Sequence, residues 1–140
     1  MAIRSAPAPA FRVTREETTH DGVTVMTMQG EIDYVASPQL RERIFGHINA
    51  GRRRLVLDLS AVTFIDTMAL GVIVAAVMRL RAREANGSLS VVCPEGDGSL
   101  SVVCQDERVR RTFRISGLDA GVGFYGSREQ AVSELAHAAC

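Results

Sequence analysis

The sequence predicts an α/β domain, a mixed β-sheet with helices packed on it. Three observations predict that class. Two strand-like segments meet at an Asp-Gly turn. Helix-period and strand-period segments alternate from there on. Residues 55–59 are almost wholly apolar, as a central strand covered on both faces must be. The chain has 140 residues, enough for one domain with a real core and too few for two.

The elements follow in order. Residues 1–10 are rich in Ala and Pro and read as a flexible leader, with the domain running over 11–137. Residues 11–18 and 23–29 read as strands joined at His20-Asp21-Gly22, where Asp-Gly suits a hairpin. Ser37-Pro38 predicts a helix start, with Ser37 as the cap and Pro38 in the first turn. Leu40, Ile44 and Ile48 then give that helix one apolar stripe, and Gly51 ends it. After the central strand, Phe64-Ile65-Asp66 leads into a second helix over 67–85. Leu70, Ile73, Val74, Val77 and Leu80 mark its core face, and Arg79, Arg81 and Arg83 suit its negative C-terminal end. Residues 106–115 read as a helix with Val109 and Phe113 inward and Gly117 as the stop. A short strand over 122–125 and a last helix opened by a Ser127/Gln130 capping pattern complete the chain.

One segment breaks the rhythm. Gly-Ser-Leu-Ser-Val-Val-Cys at 87–93 returns letter for letter at 98–104. The fold needs one strand here and the sequence offers two. Pro94-Glu95-Gly96-Asp97 is a good turn between them. An extra β-hairpin is therefore expected, one copy serving as an added edge strand available for homodimer formation.

Composition excludes several functions. Sixteen basic and sixteen acidic residues balance to zero, which argues against nucleic acid or an anionic membrane as partner. All sixteen basic residues are Arg, so Schiff-base and phosphate-loop lysine chemistry is absent. The longest apolar run, 68–78, is too short to span a bilayer. Cys93, Cys104 and Cys140 are odd in number and lack metal or redox spacing, so free thiols and a cytoplasmic location are expected. His20, His47 and His137 fall in no catalytic pattern. No cofactor, metal site or enzymatic activity is expected.

Three motifs carry a resemblance. Gly30-Glu31-Ile32-Asp33 follows an early strand; Phe64-Ile65-Asp66-Thr67-Met68-Ala69-Leu70-Gly71-Val72 spans a strand-to-helix junction; and Arg111-Thr112-Phe113-Arg114-Ile115-Ser116-Gly117-Leu118 ends a later helix. In this order and separation they resemble the STAS family of anti-sigma factor antagonists. The resemblance implies a single STAS-like domain. It also implies a partner-switching cycle: the unphosphorylated protein captures an anti-sigma factor that is a Ser/Thr kinase, phosphorylation releases it, and a phosphatase resets it.

The family's phosphoacceptor serine, directly after the Asp, maps onto Thr67, which keeps the hydroxyl. Met68 and Ala69 stand where the family has a small hydroxyl residue and Gly, a departure that bears on the partner class. Family members in stress-signalling scaffolds also carry Thr at the acceptor position. Asp33, Asp66, Thr67 and Met68 are thus the expected partner-binding residues. On local sequence alone, Asp66 or Thr67 reads as a helix cap, Asp33 as a turn carboxylate and Asp58 as a hydrogen-bonding strand residue. A subunit of a larger stress-sensing assembly and a nucleotide- or lipid-binding module are the rival functions.

Overall fold

The computed structural model describes residues 10–81, 99–117 and 122–137. Its elements run β1 (Arg12–Thr18), β2 (Val23–Ile32), α1 (Ser37–Asn49), β3 (Arg54–Ile65), α2 (Thr67–Arg81), β4 (Ser99–Val103), α3 (Glu107–Ile115), β5 (Gly123–Tyr125) and α4 (Arg128–His137). The sheet has the order β1-β2-β3-β4-β5. β1 is antiparallel to β2, and every later pair is parallel. This is the expected mixed α/β architecture, because each parallel pair is joined through a helix.

The two faces of the sheet differ. On one face Met26, Leu55, Leu57 and Leu100 meet α1 through Leu40 and Ile44, α2 through Leu70 and Ile73, and α3 through Val109 and Phe113. On the other, among the described residues, Val23, Val25, Val56 and Val103 receive α4 through Ala131 and Leu135. Fully burying one such side chain is worth about 1.5–3 kcal/mol, so the first face carries most of the apolar stabilisation. The second face adds a polar tie to hold α4. Asp58, buried in mid-strand, accepts from Arg128 Nε at 3.1 Å and Nη2 at 2.9 Å, while Ser60 donates to its other oxygen through Oγ at 2.7 Å and N at 3.1 Å. His47 is likewise structural: its Nε2 lies 2.5 Å from Glu16 Oε1, joining α1 to β1.

Several sequence expectations change. Ser37 does not cap α1. The cap is Ala36, without a side-chain hydrogen bond, and Ser37 Oγ instead donates to Tyr34 O at 3.1 Å. The reason is upstream: Asp33 already accepts the Val35 and Ala36 amides, so the chain enters the helix from a closed turn. Val74 is only half-buried; Ala69, Val72 and Ala76 join the core face of α2 instead. β3 runs to Ile65 rather than Leu59 because its register against β2 slips twice, which breaks the simple alternation. Gly51 does end α1, at φ +94°, a left-handed conformation that favours glycine. Ser127 caps α4 by accepting the Gln130 amide at 3.1 Å.

The second repeat copy, from Ser99 onward, forms β4 and lies between β3 and β5. The first copy, the connecting turn and the expected hairpin fall outside the described residues, as do 1–9 of the leader, residues 82–85 of the second helix, Cys93 and Cys140. Cys104 is a buried free thiol, and burial pushes its pKa up, away from reactive thiolate. Since β4 begins after the repeat unit 87–97, deleting that unit should leave every pairing of β3, β4 and β5 in place. The deletion variant is expected to stay folded and to unfold in one cooperative transition. Loss of the folded signal would show that the unit is integral to the core.

Candidate functional site

The site forms where β2 and β3 end side by side. Ile32 pairs with Ile65, and the Asp66 amide donates to Ile32 O at 3.1 Å, so Asp33 and Asp66 leave adjacent strand ends at one edge of the sheet. In parallel α/β sheets this carboxyl edge is where ligands and partners meet the fold. Gly30 prepares the approach. Its φ is +97° and the register slips immediately after it, which turns the last residues of β2.

Each carboxylate closes a turn. Asp33 Oδ1 accepts from Val35 N and Ala36 N, both at 3.1 Å. Asp66 Oδ1 accepts from Ala69 N at 2.9 Å, and Asp66 O receives the Leu70 amide at 3.0 Å. Asp66 is therefore the cap of α2, and Thr67 is its first residue. Both aspartates are half-buried, whereas Thr67 is exposed. The first amides of a helix lack intrahelical acceptors, and the macrodipole is positive there. An anion on the Thr67 hydroxyl would sit against that positive end without disturbing the ladder.

Large exposed apolar side chains lie close in sequence to the two aspartates. Met68 is 61% exposed, Phe64 45%, Tyr34 67% and Val35 69%. Met68 follows Thr67 on α2, Phe64 lies two residues before the cap, and Tyr34 and Val35 follow Asp33. The structure thus gathers Asp33, Asp66, Thr67 and Met68 at one end of the sheet and adds an apolar rim. Sequence reasoning missed Tyr34, Val35 and Phe64. Phe64 and Tyr34 stand beside the motif aspartates, and that adjacency was the available signal. Asp58 and Arg128 belong to the α4 face and form no part of this edge. Among the described residues there is no group of three or more His, Cys, Asp or Glu able to hold a metal, and no helix long and apolar enough to cross a membrane.

A helix capped by Asp66, with exposed Thr67 at its first position at the carboxyl edge of a mixed sheet, defines a class of α/β domain. The chain belongs to the STAS domain family, whose model matches residues 15–131. It is 28% identical over 113 residues to BtrV of Bordetella bronchiseptica, whose name assigns it to the anti-sigma factor antagonists; that match covers 81% of this chain and 86% of BtrV. A 63-residue stretch is 35% identical to the anti-sigma-F factor antagonist RsfB of Mycobacterium tuberculosis, covering 45% of this chain and 52% of RsfB. Among solved structures, an anti-sigma factor antagonist of Mycobacterium paratuberculosis superposes with a TM-score of 0.71 at 29% identity, covering 94% of this chain and 98% of that one. Bacillus SpoIIAA in its phosphorylated form shares the fold, with a TM-score of 0.57 at 20% identity over 89% of this chain and 98% of its own.

Proposed function

We propose that this protein is an anti-sigma factor antagonist switched by phosphorylation of Thr67. Unphosphorylated, it binds an anti-sigma factor that is also its Ser/Thr kinase, and a sigma factor is released. Phosphorylated, it lets the kinase go, and a phosphatase restores it. The carrying observation is that Thr67 is exposed at the start of α2, at the end of the sheet where Met68, Phe64, Tyr34 and Val35 are exposed too. The names of the similar proteins support the partner class.

The parts have distinct roles in this reading. The apolar rim, Met68 included, supplies contact area. Asp66 and Asp33 hold the backbone of the two turns, so the rim meets the partner preformed. A phosphate on Thr67 would bring about −1.5 to −2 charges into that contact. The helix end tolerates the charge, but a partner packed against apolar surface does not. The protein is thus the kinase's substrate, with no chemistry of its own.

The test is direct. Incubation with the cognate kinase and ATP is expected to add one phosphate, which peptide mapping places on Thr67, and Thr67→Ala should abolish it. A phosphate mapped to another residue while Thr67 stays unmodified would sink the reading.

A further inference from the structure

The outward side of α2 is unusual for a surface helix. From Thr67 to Met78 the sequence holds no charged residue. The inward side is filled by Leu70, Ile73 and Val77. The outward side carries Met68, Gly71, Val74, Ala75 and Met78, of which Met68 is 61% and Met78 66% exposed, Gly71 is exposed, and Val74 and Ala75 are half-buried. Surface helices ordinarily turn charged residues outward. Met68, Gly71, Ala75 and Met78 instead follow the alternating three- and four-residue steps of a helix-pairing seam, about 15 Å long. A Cβ built on Gly71 meets nothing within 4 Å, so neither the fold nor a turn requires glycine there.

The ends of the stripe carry opposite charges. Asp33 and Asp66 stand at its start, and Arg79 at its finish. A surface with an apolar middle and opposite charges at its two ends is complementary to itself under a twofold axis. We infer that the outward face of α2 pairs antiparallel with α2 of a second copy of this chain. Met78 of one copy lies over Gly71 of the other, where the missing side chain lets the helices approach. The Arg end of each helix meets the Asp end of its mate. Sheet edges offer a poorer route among the described residues: β1 is charged and its register shifts at the second pair, and β5 is three residues long. One helical face buries less than the roughly 1,200 Å² of a stable complex, so the pair is reversible and concentration-dependent.

Sedimentation equilibrium on the purified full chain, from about 10 µM to about 1 mM, tests the pairing without any other protein. Wild type is expected to show a reversible monomer–dimer equilibrium. Gly71→Arg should weaken it at least tenfold, with thermal unfolding unchanged or slightly raised because an exposed helical glycine is replaced. Met78→Glu and Arg79→Glu should weaken it as well, while Thr67→Ala should not, so the outcome is separate from that of the phosphorylation test. A chain that stays monomeric at about 1 mM, or a dimer that Gly71→Arg leaves intact, overturns the inference.

Discussion

Thr67→Glu is expected to weaken capture of the anti-sigma factor at least tenfold, while Thr67→Ala binds within about twofold of the wild type; each tenfold step corresponds to 1.4 kcal/mol. The asymmetry follows from the position. Thr67 is exposed at the first position of α2, and the capping of the helix is done by Asp66, so removing the hydroxyl costs little structure. A carboxylate there remains compatible with the positive helix end. Its cost falls on the contact, where a charge must lose water against the apolar rim. A phosphate carries more charge and is expected to have the larger effect. Calorimetric titration of the purified partner with the two variants measures both numbers. Equal affinities for Thr67→Glu and Thr67→Ala would place Thr67 outside the contact. Met68→Ala supplies the complementary arm: it removes rim area without charge and should weaken binding by a smaller factor.

The start of α2 was legible in the sequence because its signals are local. Asp66-Thr67 before an apolar-periodic segment announces a helix start, with one of the two as its cap. The structure places Thr67 there. Features that depend on distant residues were less legible. The Asp58–Arg128 pair joins positions seventy residues apart, and neither has a neighbour in sequence that points to the other. The length of β3 was hidden because its two register slips expose Ser60, Ala61, Thr63 and Phe64 in turn, and such a stretch does not alternate. The two identical repeat copies could not be ranked by pattern at all. The second copy, which leads directly into α3, forms β4. Ser37 failed as a cap for a related reason: Asp33, four residues earlier, had already bonded the amides of the turn. The rim residues Tyr34, Val35 and Phe64 look like core in a sequence, and only the sheet edge shows them facing water.

The Asp58–Arg128 pair should make stability depend on pH in one direction. Burial pushes the Asp58 carboxyl up, but hydrogen bonds from the Ser60 hydroxyl, the Arg128 guanidinium and the Ser60 amide outweigh it and hold the pKa below the ordinary carboxylate range. A carboxyl lower in the folded than in the unfolded chain stabilises the fold while ionised. That contribution is complete above the unfolded value, about 3.9 for Asp, and is lost as pH falls through the folded value. Asp58→Asn removes the charge and leaves Arg128 without its counter-ion on the α4 face. The expected loss at pH 7 is about 1–3 kcal/mol, as for removing one partner of a buried hydrogen-bonded pair. In a chain of this size that is a fall in Tm of about 4–12 °C. The gap between wild type and variant should narrow as pH drops below about 4, since the wild-type carboxyl is then protonated too. Arg128→Ala should also destabilise, and its acid sensitivity should be weaker, because an Asp58 deprived of the guanidinium is easier to protonate. Thermal unfolding of the three proteins between pH 7 and pH 3 measures this. Wild-type and Asp58→Asn curves that run parallel over the whole range would mean that the ionised carboxylate is not what fastens α4 to the sheet.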